Sequence, residues 1–268
     1  MNSSVPPPNS RLWEYTFPSF LLGISLIKLP QTTLKILFSR PFDLLFFNRW
    51  SDEWFHQIWQ LVSLKEQPEE KRLTASGAKG TVIELGPGFG PSLEFYDKSR
   101  VSHIYLVEPN YSLHDRLRES IEKYGWQAKT TIVACGIEDD AGLSRAGVPK
   151  AGVDTVVSIQ VLCSVPTPET IIPALYRRLK SGGELRIYEH ILSHEETTRK
   201  LQKIYDFVWP YPFGGCRLVR PTDKLLVDEE FMGFSGTSSG WRDVVLDKVK
   251  GESKYSCIPC FYGVLTKA

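Results

Sequence analysis

The sequence predicts an α/β domain with a seven-stranded, mostly parallel sheet covered by helices on both faces, preceded by an apolar N-terminal segment. Three observations predict it. From Gly80 onward, short apolar runs bounded by turn residues alternate with helix-like runs, as in strands buried between two helical layers. The first apolar run breaks into a glycine-rich turn, Gly86-Pro87-Gly88-Phe89-Gly90. Acidic residues stand at or just beyond the ends of the first three runs, as Glu84, Glu108 and Glu138, at the edge where open parallel sheets collect ligands.

The elements follow in order. Residues 1–11 are polar and proline-rich and are expected to be disordered. Residues 12–47 are dense in Leu, Ile and Phe, and Pro18, Pro30 and Pro41 are expected to divide them into short pieces. Their longest uncharged stretch, Tyr15 to Ile27, is shorter than the roughly 20 residues a membrane-crossing helix needs. Two readings of this segment stand: an anchor lying on one membrane face with Lys28, Lys35 and Arg40 at the headgroups, or a lid over the substrate pocket of a soluble enzyme. The main domain is placed at 48–268. Its first helix, over 48–64, carries Trp50, Trp54, Ile58, Leu61 and Val62 on one face, a stripe that reads as core. Residues 65–79 read as a polar connector. Strands are expected at 80–85, 103–108, 130–135, 153–159 and 184–189, then at 229–235 and, antiparallel, at 258–266. Helices are expected over 111–124 and over 167–180, the latter with Thr167 as N-cap and Pro168 at the first helical position.

Composition narrows the function. The chain has 268 residues and a net charge of +1, which gives no field to attract a nucleic-acid backbone, so a small-molecule partner is expected. The five cysteines lack the spacing of a disulfide scaffold. Cys257 and Cys260 form a CxxC with no second ligand pair at zinc spacing, and no metal is assigned. Arg177, Arg178 and Lys180 read as a solvated helix end, and His56, His103, His114 and His194 as surface or element-end residues.

The glycine turn lets backbone amides approach a ligand closely; alone it is equally the mark of a tight turn. Glu108, closing the second strand, has the position of a carboxylate that accepts both ribose hydroxyls, and Glu138 that of a partner for an adenine amino group. The spacing is GxGxG rather than the dinucleotide GxGxxG. Glu84, just before it, would repel a pyrophosphate but suits a cationic ammonium. Those two features favour S-adenosylmethionine over NAD.

These residues carry a resemblance. Val82 to Gly90 is similar to the first motif of class I methyltransferases. Within them the chain resembles the membrane-associated methyltransferase-like thiol methyltransferases of endoplasmic reticulum and lipid droplets. The resemblance continues in Glu108-Pro109-Asn110, Val161-Leu162-Cys163-Ser164-Val165, Glu189-His190, Gly215-Cys216-x-Leu218-x-Arg220 and the terminal Tyr262-Gly263. It implies a Rossmann-like class I methyltransferase fold over about 40–268 and S-adenosylmethionine as cofactor. It also implies a small acceptor, foremost a thiol, and a location on the endoplasmic reticulum or lipid-droplet face, the alternative being cytoplasmic. Glu84, Gly86, Pro87, Gly88 and Gly90 would form the methionine-side loop, and Glu108, Pro109 and Asn110 the ribose site. Gly136, Ile137 and Glu138 would border the adenine, and Gln160 and Val161 the sulfonium. The family's usual Gly-Cys-Gly-Thr is here Gly86-Pro87-Gly88-Phe89, and Cys260 falls near a position where relatives carry His.

For catalysis, His190, one residue beyond the fifth strand, is the candidate general base, with a structural histidine as the equal alternative. Asp206 is the candidate acceptor-pocket carboxylate, with a salt bridge bracing its loop as the alternative. A thiol acceptor ionises near pH 8.5 and needs little base catalysis, whereas a phenol or alcohol would need more. An O- or N-methyltransferase, or a non-methylating enzyme on the same fold, remains the competing reading.

Overall fold

The computed structural model describes residues 11–62, 68–234 and 240–268. Among them a seven-stranded sheet runs in the order β3-β2-β1-β4-β5-β7-β6. Its strands are β1 (Gly80–Leu85), β2 (Val101–Val107), β3 (Thr130–Val133), β4 (Val153–Ile159), β5 (Leu179–His190), β6 (Trp241–Lys248) and β7 (Cys260–Lys267). The first five pair in parallel, and β7 runs antiparallel to both β5 and β6. The strand order reverses between β1 and β4, and at such a point the loops diverge and leave a crevice.

Alternation along the strands builds two cores. Ile83 and Leu85 of β1 face one side, with Val156 of β4 and Ile187 of β5, against α6 (Pro168–Arg178). Val82 of β1 faces the other, with Ile104 and Leu106 of β2, against α3 (Glu69–Ser76) and α4 (His114–Lys123).

Several expectations are corrected. Residues Glu229–Met232 form a helical turn capped by Asp228, not the sixth strand, which lies at Trp241–Lys248; the side chain of Asp228 accepts from the Phe231 N–H at 2.8 Å and so commits the run to a helix. The connector contains α3. Thr167 precedes α6 as expected, but its side chain bonds no backbone amide there. The expected disorder of residues 1–11 falls, Arg11 apart, outside the described residues.

The N-terminal segment differs most. Arg11–Ser39 is one continuous 29-residue helix, α1, with Pro18 and Pro30 inside it. Around Pro30, the hydroxyls of Thr32 and Thr33 donate back to the carbonyls of Lys28 and Leu29, each at 3.0 Å, a pattern that goes with bent helices; packing against α2 is what offsets the hydrogen bond the proline removes. By length and composition α1 could cross a membrane. One face is buried, at Pro18, Ser25, Thr32 and Ile36, against α2 (Phe47–Val62). Trp54 of α2 donates to the Ser25 carbonyl at 2.8 Å, and buried Glu53 takes Lys35 at 2.6 Å and Arg40 at 2.7 Å. Trp54 and Ile58 are core, as the stripe predicts, while Leu61 is exposed.

Candidate cofactor and acceptor site

The turn after β1 is left-handed at Gly86, Gly88 and Gly90 (φ +50°, +61° and +75°), a conformation costly for other residues. Space is equally short: a Cβ on Gly86 would meet Val161 at 2.8 Å, and one on Gly88 would meet the Trp59 indole nitrogen at 2.9 Å. Trp59 of α2 thus lies on the turn, its buried indole N–H without a hydrogen-bond partner among the described residues. His56 meets Phe89 edge-on at 5.4 Å. Hence α2, expected only as a core helix, roofs the loop.

Two carboxylates flank the turn. Glu84 accepts from Ser92 Oγ at 2.5 Å and Tyr96 OH at 3.0 Å, and burial pushes it up to about 7 despite those bonds. Glu108 accepts from the N–H groups of Gly88 at 3.0 Å and Asn110 at 2.9 Å; burial raises it, too, to about 7. Neither pairs with a cation among the described residues. Two buried acids with raised pKa values and no counter-ion suit a ligand that brings an ammonium and hydroxyl donors.

Asn110 is buried and braces the roof, its side-chain amide reaching the Asp52 carbonyl at 3.2 Å, whereas Pro109 is exposed. On the third strand's edge, Ile137 is buried and Glu138 is exposed, folded back over Gly136. Asp139 caps the next helix by accepting from the Gly142 N–H.

The β4 end carries backbone strain. Gln160 has φ +60°, the described non-glycine residue with positive φ, and such outliers concentrate at functional sites. Its side-chain oxygen takes Lys71 Nζ at 2.5 Å. Lys71, on α3, was missed by sequence reasoning because its helix read as a connector. It lines one cleft with Trp59, Glu84, Gly86, Ser92 and Gln160, and burial lowers its pKa. An ammonium and a carboxylate lining one cleft match the two charges of an amino-acid moiety. Val161 N–H donates to Glu189 Oε1 at 3.0 Å, which also takes Ser158 Oγ at 2.7 Å.

The two catalytic candidates are both engaged elsewhere. His190 is buried with Nε2 at 3.0 Å from Cys216 Sγ. Burial opposes its protonation, but Cys163 and Glu189 beside it together outweigh this and lift its pKa. Asp206 accepts from the Leu218 N–H at 2.8 Å and pairs with Arg217 at 2.5 Å, the bracing alternative. Two other residues depart from the positions expected: His56 is buried within α2, and Arg178 is buried and bonds Asp140 and the Pro149 carbonyl; His114, also buried, does stand at an element end, the start of α4. A larger apolar cleft, about 510 Å³, lies between α1, α2 and the 206–221 insert and shares no lining residue with the cleft beside Glu84.

A sheet of this order, with acids flanking a glycine turn at the point where it reverses, defines an S-adenosylmethionine-dependent methyltransferase. Residues 60–223 match the methyltransferase-domain family, and the chain belongs to it. It is similar to the thiol S-methyltransferase TMT1B of Rattus norvegicus, 31% identical over 174 residues that cover 64% of this chain and 67% of that protein. It is also similar to the thiol S-methyltransferase TMT1A of Homo sapiens, 30% identical over 176 residues that cover 64% of this chain and 69% of that one. The match thus spans about two thirds of these relatives' length. Among solved structures, the mitomycin 7-O-methyltransferase MmcR superposes with a TM-score of 0.56 at 15% identity, covering 98% of this chain and 74% of that one, a likeness of fold.

Proposed function

We propose that the chain transfers a methyl group from S-adenosylmethionine to the sulfur of a small thiol. The observation that carries the reading is the identity of about 30% with thiol S-methyltransferases. When bound, the cofactor supplies a methyl group activated on a sulfonium. Glu84 holds its ammonium and Lys71 its carboxylate. Glu108, positioned by Gly88 and Asn110, accepts from the ribose hydroxyls. Gly136, Ile137 and Glu138 border the adenine, and Gln160 and Val161 the sulfonium. The chain's task is alignment of acceptor, methyl and leaving sulfur, with α2 excluding water. Neither His190 nor Asp206 is free to serve as a strong base, which a thiol ionising near pH 8.5 can do without.

The outer face of α1 supports a membrane role. Phe20, Ile27, Leu34 and Phe38 are exposed and repeat, two positions on, the spacing of its buried face. With exposed Phe42, Leu45 and Phe46 beyond the helix, they form an apolar surface suited to lie in one leaflet. Crossing the bilayer would strip α1 from Trp54 and Glu53.

A methyl-transfer screen over thiols, phenols, amines and carboxylates, read by mass spectrometry, tests the acceptor. S-methyl products are expected. O- or N-methyl products with no thiol turnover would overturn the assignment.

A further inference from the structure

We propose that Cys163, His190 and Cys216 form a binding site for a zinc-type metal ion. The three residues come from separate parts of the chain: the turn after β4, the last residue of β5, and the insert that follows α7 (Glu196–Tyr205). Their ligand atoms nevertheless lie within 4.8 Å of one another, and all three side chains are buried. The CxxC of Cys257 and Cys260 drew attention in the sequence; the convergence lies elsewhere because folding, not spacing, assembles it.

The local hydrogen bonding suits a metal better than a purely structural cluster. Buried imidazoles ordinarily satisfy both nitrogens. Here Nε2 faces the Cys216 sulfur at 3.0 Å, and Nδ1 is buried with no partner among the described residues, which leaves a ring nitrogen free to take an ion. On its other side Cys216 Sγ accepts from the Trp209 indole N–H at 3.1 Å, the kind of outer contact that steadies a metal-bound thiolate. The scaffold is fixed from both directions. Arg217 N–H donates to the Cys163 carbonyl at 3.0 Å, locking the Cys216 loop to the Cys163 turn. Arg220 clamps that turn through the carbonyls of Leu162 and Val165.

Two sulfurs and an imidazole, with no carboxylate among them, select a borderline-soft ion over magnesium or calcium. A dication balances two thiolates, so the occupied site carries no net buried charge. Three protein ligands leave one tetrahedral position for water or an exogenous ligand.

The test uses the full chain, expressed without a metal-binding tag and purified under reducing conditions without chelator. Elemental analysis should find stoichiometric zinc in the wild type and in Cys257→Ser, and background levels in the double variant Cys163→Ser/Cys216→Ser. Because that variant could misfold, chelator-stripped wild type and Cys257→Ser are also titrated with cobalt(II). Both should develop thiolate-to-cobalt charge-transfer bands, reversed by added zinc. Wild-type protein with neither zinc nor cobalt–thiolate bands would overturn the proposal. So would zinc retained by a folded double variant.

Discussion

Glu108→Gln separates charge from shape at the proposed ribose site. In the free protein Glu108 is held up to about 7 by burial, against 4.5 for an ordinary glutamate. Hydroxyl donors favour the ionised form, so cofactor binding must pull the carboxyl below that value. Affinity should therefore weaken about tenfold per unit as pH falls below 7 for each such group. Glu84, also at about 7, faces the ammonium and adds a second proton to the linkage. The glutamine keeps an acceptor oxygen but loses the charge. Near pH 8 a charge-assisted hydrogen bond is worth about 1.5–3 kcal/mol, so S-adenosylhomocysteine should bind roughly 10- to 150-fold more weakly. Below pH 6 the slope of log Kd against pH should fall from about two to about one, because only Glu84 still titrates. Calorimetric titrations from pH 5.5 to 8.5 measure both quantities. An unchanged affinity at pH 8, or an unchanged slope, would refute this role for Glu108.

The same shifts make a stability prediction. A carboxyl whose folded pKa is raised contributes stability at low pH and loses it as pH rises through about 7, so the ligand-free protein should melt higher at pH 6 than at pH 8, and cofactor should narrow the gap. Lys71→Gln should weaken S-adenosylhomocysteine by about tenfold or more while sparing an analogue that lacks the carboxylate, as competition binding would reveal. Gly88→Ala, at φ +61° and against Trp59, should cost about 1–2 kcal/mol in urea unfolding from backbone strain alone. Ile27→Glu/Phe38→Glu, at positions 73% and 84% exposed, should leave the melting temperature unchanged and abolish flotation with liposomes; undiminished flotation would remove α1 from the membrane face.

Six of the seven strands were legible because each is a short run rich in apolar residues that has few alternatives once buried in the sheet; the sixth, largely exposed at Trp241–Lys248 on the sheet edge, lacks that signature and was placed at 229–235 instead. Glu84, Glu108 and the glycines were legible for a related reason, since each ends a strand. Lys71 and Trp59 were not. Both act from helices before the sheet begins, and nothing local to Lys71 distinguishes it from the other charges of 65–79. The prolines of α1 misled because a local rule about helix breaking ignores what tertiary packing against α2 offsets. The Cys163–His190–Cys216 convergence has no local signal whatever, being a product of chain topology.

Trp59 resting on Gly88, and Asn110 holding the Asp52 carbonyl, have a kinetic consequence. On the cofactor placement proposed above, release would require that helix to lift, and the opening rate of the roof would then bound turnover. Glu53 bonds Lys35 and Arg40 from the same helix, and α2 therefore lifts against the grip of α1. On that proposal, a membrane face that immobilised α1 would become part of the clock and lengthen the cofactor's residence without touching a single atom of the site.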